Sequence, residues 1–139
     1  VQSVVGTGSC FTLQLPAIKP VVLVVDDDAV TMEIIGQYLA PLGVEIVTAD
    51  SGEAAIAQMK RHLPHVIIAD IYMPKMSGFE LLSAVKSNRP TQHIPVILMT
   101  AADDTDEFRH YCFELGADDY VVKPLVSCDF LPRVRHFIG

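Results

Sequence analysis

The sequence predicts a doubly wound α/β domain, with a five-stranded parallel sheet in the order 2-1-3-4-5 and five covering helices. Short apolar runs rich in β-branched residues alternate along the chain with segments whose apolar residues recur at helical spacing. Parallel strands need a right-handed crossover between them, and a helix usually supplies it, so this alternation favours parallel pairing. The 139 residues suit one domain with a buried core.

Polar and glycine residues bound the first two strand–helix pairs. Val21–Val25 is a strand-sized apolar run, and Ala29–Leu39 has the helical spacing, which Gly43 ends. Val44–Ala49 follows as a second strand. A second helix, which we extend over Ser51–Lys60, begins at a serine that can cap its free backbone N–H groups.

The third and fourth strands are continuous apolar runs of the kind that is buried on both faces of a sheet. Val66–Ala69 ends at Asp70, and Val96–Thr100 is the next such run. Between them, a capping-box pattern over Ser77–Glu80 predicts a third helix that continues to about Ser87.

A fourth helix and a fifth strand follow in the same order. Asp103 or Asp104 can cap this helix, and Gly116 is the residue type that typically ends one. The fifth strand is Tyr120–Val122, a short aromatic and β-branched run.

A proline shortens the predicted last helix. Proline lacks a backbone N–H and its ring clashes with the preceding turn, so it is tolerated mainly in the first turn of a helix. We therefore start the last helix near Asp129 or Phe130, just before Pro132, and end it with the chain.

Polar residues follow four of the five predicted strands. The carboxyl ends of parallel strands share one edge of the sheet, and ligands of doubly wound folds bind at that edge, where the strand order reverses. We therefore expect one pocket to collect the side chains that follow the first, third, fourth and fifth strands: Asp26, Asp27 and Asp28, then Asp70, Thr100 and Lys123.

These residue types suit phosphoryl transfer at a metal site. Crowded carboxylates repel one another unless a cation neutralises them, and hard oxygen ligands with open coordination positions suit Mg²⁺. A lysine and a hydroxyl beside a metal-bound carboxylate can neutralise and orient phosphoryl oxygens. Of the three consecutive acids, Asp28 is expected to cap the following helix instead.

The composition excludes several classes of function. A net charge of −7, from 17 acidic and 10 basic residues, argues against nucleic-acid binding, which needs clustered Lys and Arg. The apolar runs are far shorter than the roughly 18 residues of a membrane helix, and no signal peptide is evident, so we expect a cytoplasmic protein without direct membrane contact. The three widely spaced cysteines fit neither a disulfide framework nor a zinc site.

Four motifs resemble the receiver domain of two-component response regulators. The resemblance spans Val21 to about Ile138 and implies a flavodoxin-like receiver fold for residues 21–139. The motifs stand in the family's order, each at a predicted strand end: Val21–Asp27, Ile68–Pro74, Met99–Ala101 and Gly116–Pro124.

The resemblance also implies a reaction. Asp70 would accept a phosphoryl group from the phosphohistidine of a histidine kinase domain, and Lys123 and Thr100 would contact that group. The cofactor would be Mg²⁺, held by Asp70 together with Asp26, Asp27 and the backbone carbonyl of Tyr72. The receiver would thereby catalyse its own phosphorylation and dephosphorylation.

A switch is implied as well. Thr100 would move toward the phosphoryl group and Tyr120 would follow, repacking the face around the fourth helix and fifth strand. Tyr72 and Ala102 would flank the phosphoryl group, and we expect the bulky Tyr72 to shield it from water. The Lys123–Pro124 peptide bond would be cis.

The tail at residues 1–20 carries a second resemblance. Val5–Pro16 is similar to the last glycine turn and final strand of the ATP-binding domain of sensor histidine kinases. Followed by a Pro16–Pro20 linker and a receiver, this tail predicts the C-terminal receiver of a hybrid sensor histidine kinase. The other ATP-site motifs and the phosphorylatable histidine helix are missing from this segment, so we expect no kinase activity in it.

Alternatives stay open. Asp26–Val30 also fits the D-x-D-x-[TV] pattern of haloacid-dehalogenase phosphatases, with Asp26 as nucleophile and Asp28 as acid, although Asp70 would then have no role. A receiver that only binds partners is another reading, but every acceptor-site residue is present. A free-standing single-domain regulator is the alternative to the hybrid kinase.

Two partners are expected. A phosphohistidine domain, in the same parent protein, would donate the phosphoryl group, and a histidine-containing phosphotransfer protein would receive it. Homodimerisation stays open, and we expect no nucleic-acid partner.

Overall fold

A five-stranded parallel sheet forms the centre of the molecule. The computed structural model describes residues 20–73, 75–100, 105–123, 125 and 127–138. The strands are β1 (Val21–Val25), β2 (Glu45–Ala49), β3 (Val66–Asp70), β4 (Val96–Thr100) and β5 (Asp119–Val122), and their order in the sheet is β2-β1-β3-β4-β5. The predicted fold class and strand order are confirmed.

Five helices connect and follow the strands. They are α1 (Ala29–Leu39), α2 (Gly52–Arg61), α3 (Gly78–Ser87), α4 (Asp106–Glu114) and α5 (Ser127–Ile138). A single 3-10 turn, Ala40–Leu42, extends α1 before Gly43 turns the chain with a φ of 66°. None of the described helices has the length and apolarity needed to cross a lipid bilayer.

The sheet is buried on both faces, which is why β3 and β4 read as continuous apolar runs. Alternate residues of β1 enter different cores. Leu23 packs in a cluster with residues of α2, α3 and α4, whereas Val24 packs in a second cluster with residues of α1 and α5. This alternation leaves the carboxyl ends of the strands as the exposed edge on which side chains from several strands can meet.

The helix starts predicted for α2 and α3 are confirmed by their caps. The Ser51 hydroxyl accepts a hydrogen bond from the backbone N–H of Ala54 at 3.1 Å. The Ser77 hydroxyl accepts a hydrogen bond from the backbone N–H of Glu80 at 3.2 Å, and the Glu80 carboxylate accepts one from the backbone N–H of Ser77 at 3.0 Å, which completes the capping box.

The predicted start of α4 was wrong. The N-cap is Thr105, whose hydroxyl accepts a hydrogen bond from the backbone N–H of Phe108 at 3.1 Å. Asp103 and Asp104 therefore do not cap α4, and they lie outside the described residues. The acids that follow Thr105 sit in the first turn of the helix, where negative charge is favoured by the helix dipole.

The predicted start of α5 was also wrong. The helix begins at Ser127, not at Asp129 or Phe130, and Pro132 lies in its interior. Phe130 and Val134 are one helical turn apart and almost completely buried in the α1–α5 core. Packing of this face outweighs the local penalty of the proline.

Several predictions concern residues outside the described ranges. They are the tail at residues 1–19, Ala102, and the Lys123–Pro124 peptide bond.

Candidate functional site

The carboxyl ends of β1 and β3 bring two acids side by side. In the register of these neighbouring strands, Val25 pairs with Ala69, so Asp26 and Asp70 are the next residues along β1 and β3. Asp26 is completely buried, and Asp70 keeps 7% of its surface exposed. The reversal of strand order between β1 and β3 therefore places the acids where the sequence predicted a pocket.

Asp27 completes a cluster of three carboxylates. One oxygen each of Asp26, Asp27 and Asp70 lies within 4.8 Å of the others. Unlike Asp26, Asp27 is exposed, so the cluster is open to solvent on one side. Solute can reach it there without movement of the core.

Lys123 joins two of these carboxylates. Its ammonium lies 2.9 Å from Asp26 Oδ2 and 3.2 Å from Asp70 Oδ2. The backbone N–H of Lys123 donates to the carbonyl of Thr100 at 2.7 Å, which fixes the lysine at the ends of β4 and β5. The predicted convergence of strand-end residues is thus observed for these side chains.

The electrostatics of the site follow from burial and charge. Burial first, and then the negative charge of Asp26, raise the pKa of the Asp70 carboxyl, although Lys123 and the N–H of Tyr72 offset part of the effect. Burial opposes the charge of Lys123 most strongly, but its hydrogen bonds and ion pairs with both acids together outweigh burial and raise the pKa of this lysine. The site thus keeps Lys123 charged and makes ionisation of Asp70 costly.

The donor set fits a divalent cation. Three carboxylates face a single ammonium, so the fully ionised cluster carries two excess negative charges. All its available ligand atoms are oxygens, and the open side at Asp27 leaves room for water, which Mg²⁺ retains in most protein sites. Asp26, Asp27 and Asp70 are therefore the residues that could hold Mg²⁺.

Thr100 and Tyr120 lie on the same face of adjacent strands. Thr100 pairs with Val122 and Tyr120 pairs with Leu98, so the two side chains are diagonal neighbours on the side of the sheet that α2, α3 and α4 cover. Thr100 is completely buried and Tyr120 is 5% exposed.

Comparison with known proteins decides the family. Residues 22–135 match the family model of the response regulator receiver domain. The chain belongs to this family. The receiver is 37% identical over 120 residues to the rice two-component response regulator ORR3, which covers 85% of this chain and 90% of ORR3. It is 36% identical over 126 residues to the probable transcriptional regulator ycf27 of Guillardia theta, covering 91% of this chain and 48% of that protein. The chain thus spans about half the length of several curated relatives.

Solved structures of receiver proteins have the same fold as this chain. Chemotaxis protein CheY4 of Vibrio cholerae superposes on the receiver with a TM-score of 0.79 and 28% identity, over 86% of this chain and 99% of CheY4. The signal receiver domain of a signal transduction histidine kinase from Syntrophus aciditrophicus superposes with a TM-score of 0.77 and 28% identity, over 86% and 89% of the two chains.

Asp28 stands apart from the carboxylate cluster of the receiver, as predicted. Its side chain accepts hydrogen bonds from the Val30 N–H at 3.1 Å and the Thr31 hydroxyl at 2.9 Å. These two bonds, that from Thr31 first, lower the pKa of Asp28. Asp28 therefore caps α1 as an ionised acid.

Tyr72 contacts the site through its backbone. Its N–H donates to Asp70 Oδ1 at 3.3 Å, and the residue is 53% exposed. The side chain predicted to shield the acceptor therefore lies at the solvent boundary of the pocket.

Two features of the receiver were not predicted from its sequence. A Cβ on Gly78 would lie 2.5 Å from the carbonyl oxygen of Asp70, so only glycine lets the start of α3 pack against the chain after the acceptor. Around Tyr120, the ring of Phe108 lies 5.9 Å away and the guanidinium of Arg109 lies 5.8 Å from the ring centroid. The capping box places Gly78 at the start of α3 but does not show its close contact with Asp70, and no local pattern predicts the neighbours of Tyr120.

Proposed function

We propose that this receiver accepts a phosphoryl group on Asp70 from a phosphohistidine, in an Mg²⁺-dependent step of a two-component phosphorelay. The observation that carries the proposal is the cluster of Asp26, Asp27 and Asp70 within 4.8 Å, with the Lys123 ammonium bound to Asp70. These are the positions that the family resemblance assigns to metal binding and phosphorylation.

Asp70 is better placed to accept the group than Asp26. Asp26 is completely buried, and it accepts hydrogen bonds from the N–H of Asp28 at 2.9 Å and from Lys123. Asp70 has the more exposed side chain of the two. The phosphatase alternative needs Asp28 as a proton donor, whereas Asp28 accepts two hydrogen bonds as a helix cap.

In the proposed step, an Asp70 oxygen attacks phosphorus, the P–N bond to the imidazole breaks, and the departing nitrogen keeps the electron pair and takes a proton from solvent water. Lys123 neutralises charge on the phosphoryl oxygens, and Thr100 donates a hydrogen bond to them. Asp26, Asp27, Asp70 and the backbone carbonyl of Tyr72 would hold Mg²⁺, which would supply further positive charge for those oxygens.

The switch belongs to the same proposal. Phosphorylation draws the Thr100 hydroxyl toward the acceptor, and Tyr120 follows into the space that this movement leaves. Because Tyr120 packs against Phe108 of α4, its movement repacks the surface near α4 and β5.

The hybrid-kinase context also belongs to the proposal. It is supported by the kinase-like tail at residues 1–20 and by the structural similarity to a receiver domain from a histidine kinase. In this context the donor is a phosphohistidine domain of the parent protein, and the acceptor of the next step is a histidine-containing phosphotransfer protein. The 90% coverage of rice ORR3 favours the alternative, a free-standing regulator.

Intact-mass measurement after incubation with acetyl phosphate tests the proposal. We expect a gain of one phosphoryl group that requires Mg²⁺ and disappears in Asp70→Asn. The matched control is Asp129→Asn, which removes an exposed acid of α5 and should leave the gain unchanged. No adduct in any condition would indicate a receiver that only binds partners. An adduct that survives in Asp70→Asn and is lost in Asp26→Asn would indicate the phosphatase.

A further inference from the structure

A groove of about 470 Å³ lies between the C-terminal halves of α2 and α3. Because both helices run antiparallel to the strands, these halves lie at the opposite end of the sheet from Asp70. The groove is open to solvent along one side. Its lining comes from α2, α3 and the segments that follow them: Ile56, Met59, Lys60, Leu63, Ala84, Val85, Asn88, Pro90 and Thr91.

The lining is mainly apolar, and part of it faces water. Met59 and Val85 are buried and belong to the core, so they form a fixed floor. Leu63 at the rim is 46% exposed, which leaves a large aliphatic side chain beside the groove without a covering residue. The groove therefore combines a buried apolar floor with one exposed aliphatic side chain at its rim.

Hydrogen bonds hold the α3 side of the groove in shape. The Thr91 hydroxyl donates to the carbonyl of Val85 at 2.7 Å, and the Asn88 amide donates to the carbonyl of Ala84 at 2.8 Å. Lys86 ties the same segment to the start of β4 by donating to the carbonyl of Ile94 at 2.8 Å. The groove is therefore preformed, and a ligand need not order it.

The groove has a positive rim on an acidic protein. Lys60 lines it, and Arg61 and Arg89 are the chain neighbours of lining residues. None of the three forms an ion pair with a carboxylate of the described residues. No acid is among the residues that line the groove. Glu45 and Asp118 lie at the same end of the sheet, where Asp118 pairs with Lys86 at 3.0 Å, whereas Asp70 and Glu80 lie at the other end. The protein as a whole carries a charge of −7.

We propose that this groove binds an acidic amphipathic helix of a partner protein. Apolar side chains along one face of such a helix would fill the groove, and its carboxylates would meet Lys60 and Arg89. An open groove favours a helix over a small molecule, because small-molecule sites enclose most of the ligand surface. A recessed groove also suits the face of a single helix better than a flat membrane surface.

The test uses the full chain and a designed peptide of about 18 residues, with Leu at i, i+3, i+4 and i+7 and Glu elsewhere, long enough for appreciable helicity. Binding is followed by chemical-shift changes in ¹H–¹⁵N correlation spectra. We expect shifts at the groove residues and at least a tenfold rise in Kd for Lys60→Glu/Arg89→Glu. The matched control is Arg135→Glu, which reverses an exposed base on α5 and should leave Kd unchanged.

Several results would overturn the proposal. One is the absence of binding at millimolar peptide, and another is a set of chemical-shift changes located away from the groove. A third is equal binding of the same peptide with Lys in place of Glu. The fourth is that Lys60→Glu/Arg89→Glu loses binding to phosphatidylglycerol vesicles but keeps its binding to the peptide, which would indicate a membrane as the partner. The native chain, Lys60→Glu/Arg89→Glu and Arg135→Glu should all be phosphorylated by acetyl phosphate to the same extent. The groove and the acceptor site are therefore tested separately, and either proposal can fail without the other.

Discussion

The surroundings of Asp70 disfavour the ionised form of its carboxyl group. The residue is nearly buried and lies beside the fully buried Asp26, and the two acids share the ammonium of Lys123. Burial and the charge of Asp26 raise the pKa of Asp70. The ionised acceptor therefore lowers the stability of the fold while it supplies the nucleophile of the proposed reaction.

Asp70→Asn should raise the free energy of unfolding at pH 7, in the absence of divalent cations, by about 1 kcal/mol. A raised pKa in the folded state means that the penalty is complete above that pKa, shrinks as the pH falls through it, and vanishes below the unfolded value of 3.8. The advantage of the variant should therefore be smaller at pH 4 than at pH 7 in urea unfolding.

Asp129→Asn is the control for this measurement, because it removes an exposed acid and should change stability by less than about 0.5 kcal/mol. If Asp70→Asn were less stable than the native chain at pH 7, the ion pair with Lys123 would outweigh the burial of the carboxylate.

Tyr72→Asn should shorten the lifetime of the aspartyl phosphate severalfold. Tyr72 lies two residues after Asp70 and is 53% exposed, so its side chain can limit the approach of water to the phosphoryl group. The measurement is the loss of the phosphoryl mass with time after acetyl phosphate is removed. Tyr111→Asn, at an equally exposed tyrosine on α4, should leave the lifetime unchanged. An unchanged lifetime in Tyr72→Asn would refute the shielding hypothesis.

Caps and core contacts together set the bounds of the helices. α2 and α3 begin where their serine caps predict, because each cap satisfies backbone donors locally. α5 does not obey its local signal. It continues through Pro132 because Phe130 and Val134, on either side of the proline, anchor the same face in the core.

Pro132→Ala should stabilise the protein by about 1–3 kcal/mol. Alanine restores the backbone N–H and removes the ring clash in the helix interior, and the entropy gained by the unfolded chain offsets part of this gain. The measurement is the denaturant midpoint. Pro132 is exposed, so the change creates no cavity. Arg135→Ala, in the same helix, should have a much smaller effect, and an unstabilised Pro132→Ala would show that the proline is accommodated without strain.

Charge links the site to the stability of the whole receiver. The chain carries a charge of −7, and three of its carboxylates meet at the ends of the central strands. A ligand that binds only the folded state stabilises it in proportion to the logarithm of its concentration above Kd.

Mg²⁺ at about ten times its Kd should therefore add about 1.4 kcal/mol to the free energy of unfolding and raise Tm by on the order of 4 °C. The shift should be lost in Asp27→Asn, which removes an exposed carboxylate of the cluster without disturbing the core. Sodium chloride at matched ionic strength is the control for screening. An equal rise with sodium chloride, or in Asp27→Asn, would argue against a specific site.

Local sequence patterns were sufficient to predict most of the fold and to predict which charged residues meet in one pocket. The spacing of the apolar residues shows whether a segment is a helix or a strand and which of its faces is buried. The alternation of strands and helices restricts the topology to very few arrangements. From these, the acids after β1 and β3 and the lysine after β5 could be assigned to one pocket.

Packing and register settled the rest, because they depend on residues far apart in the chain. The contact of Lys123 with Asp26 joins residues separated by 97 positions, and no local pattern states which of two consecutive acids is buried and which faces water. The start of α5 depends on its contacts with the α1 side of the core. The ring of Tyr120 packs against Phe108 of α4, whose ring in turn contacts Phe79 of α3. Such contacts exist only after the sheet has brought its strands and helices together.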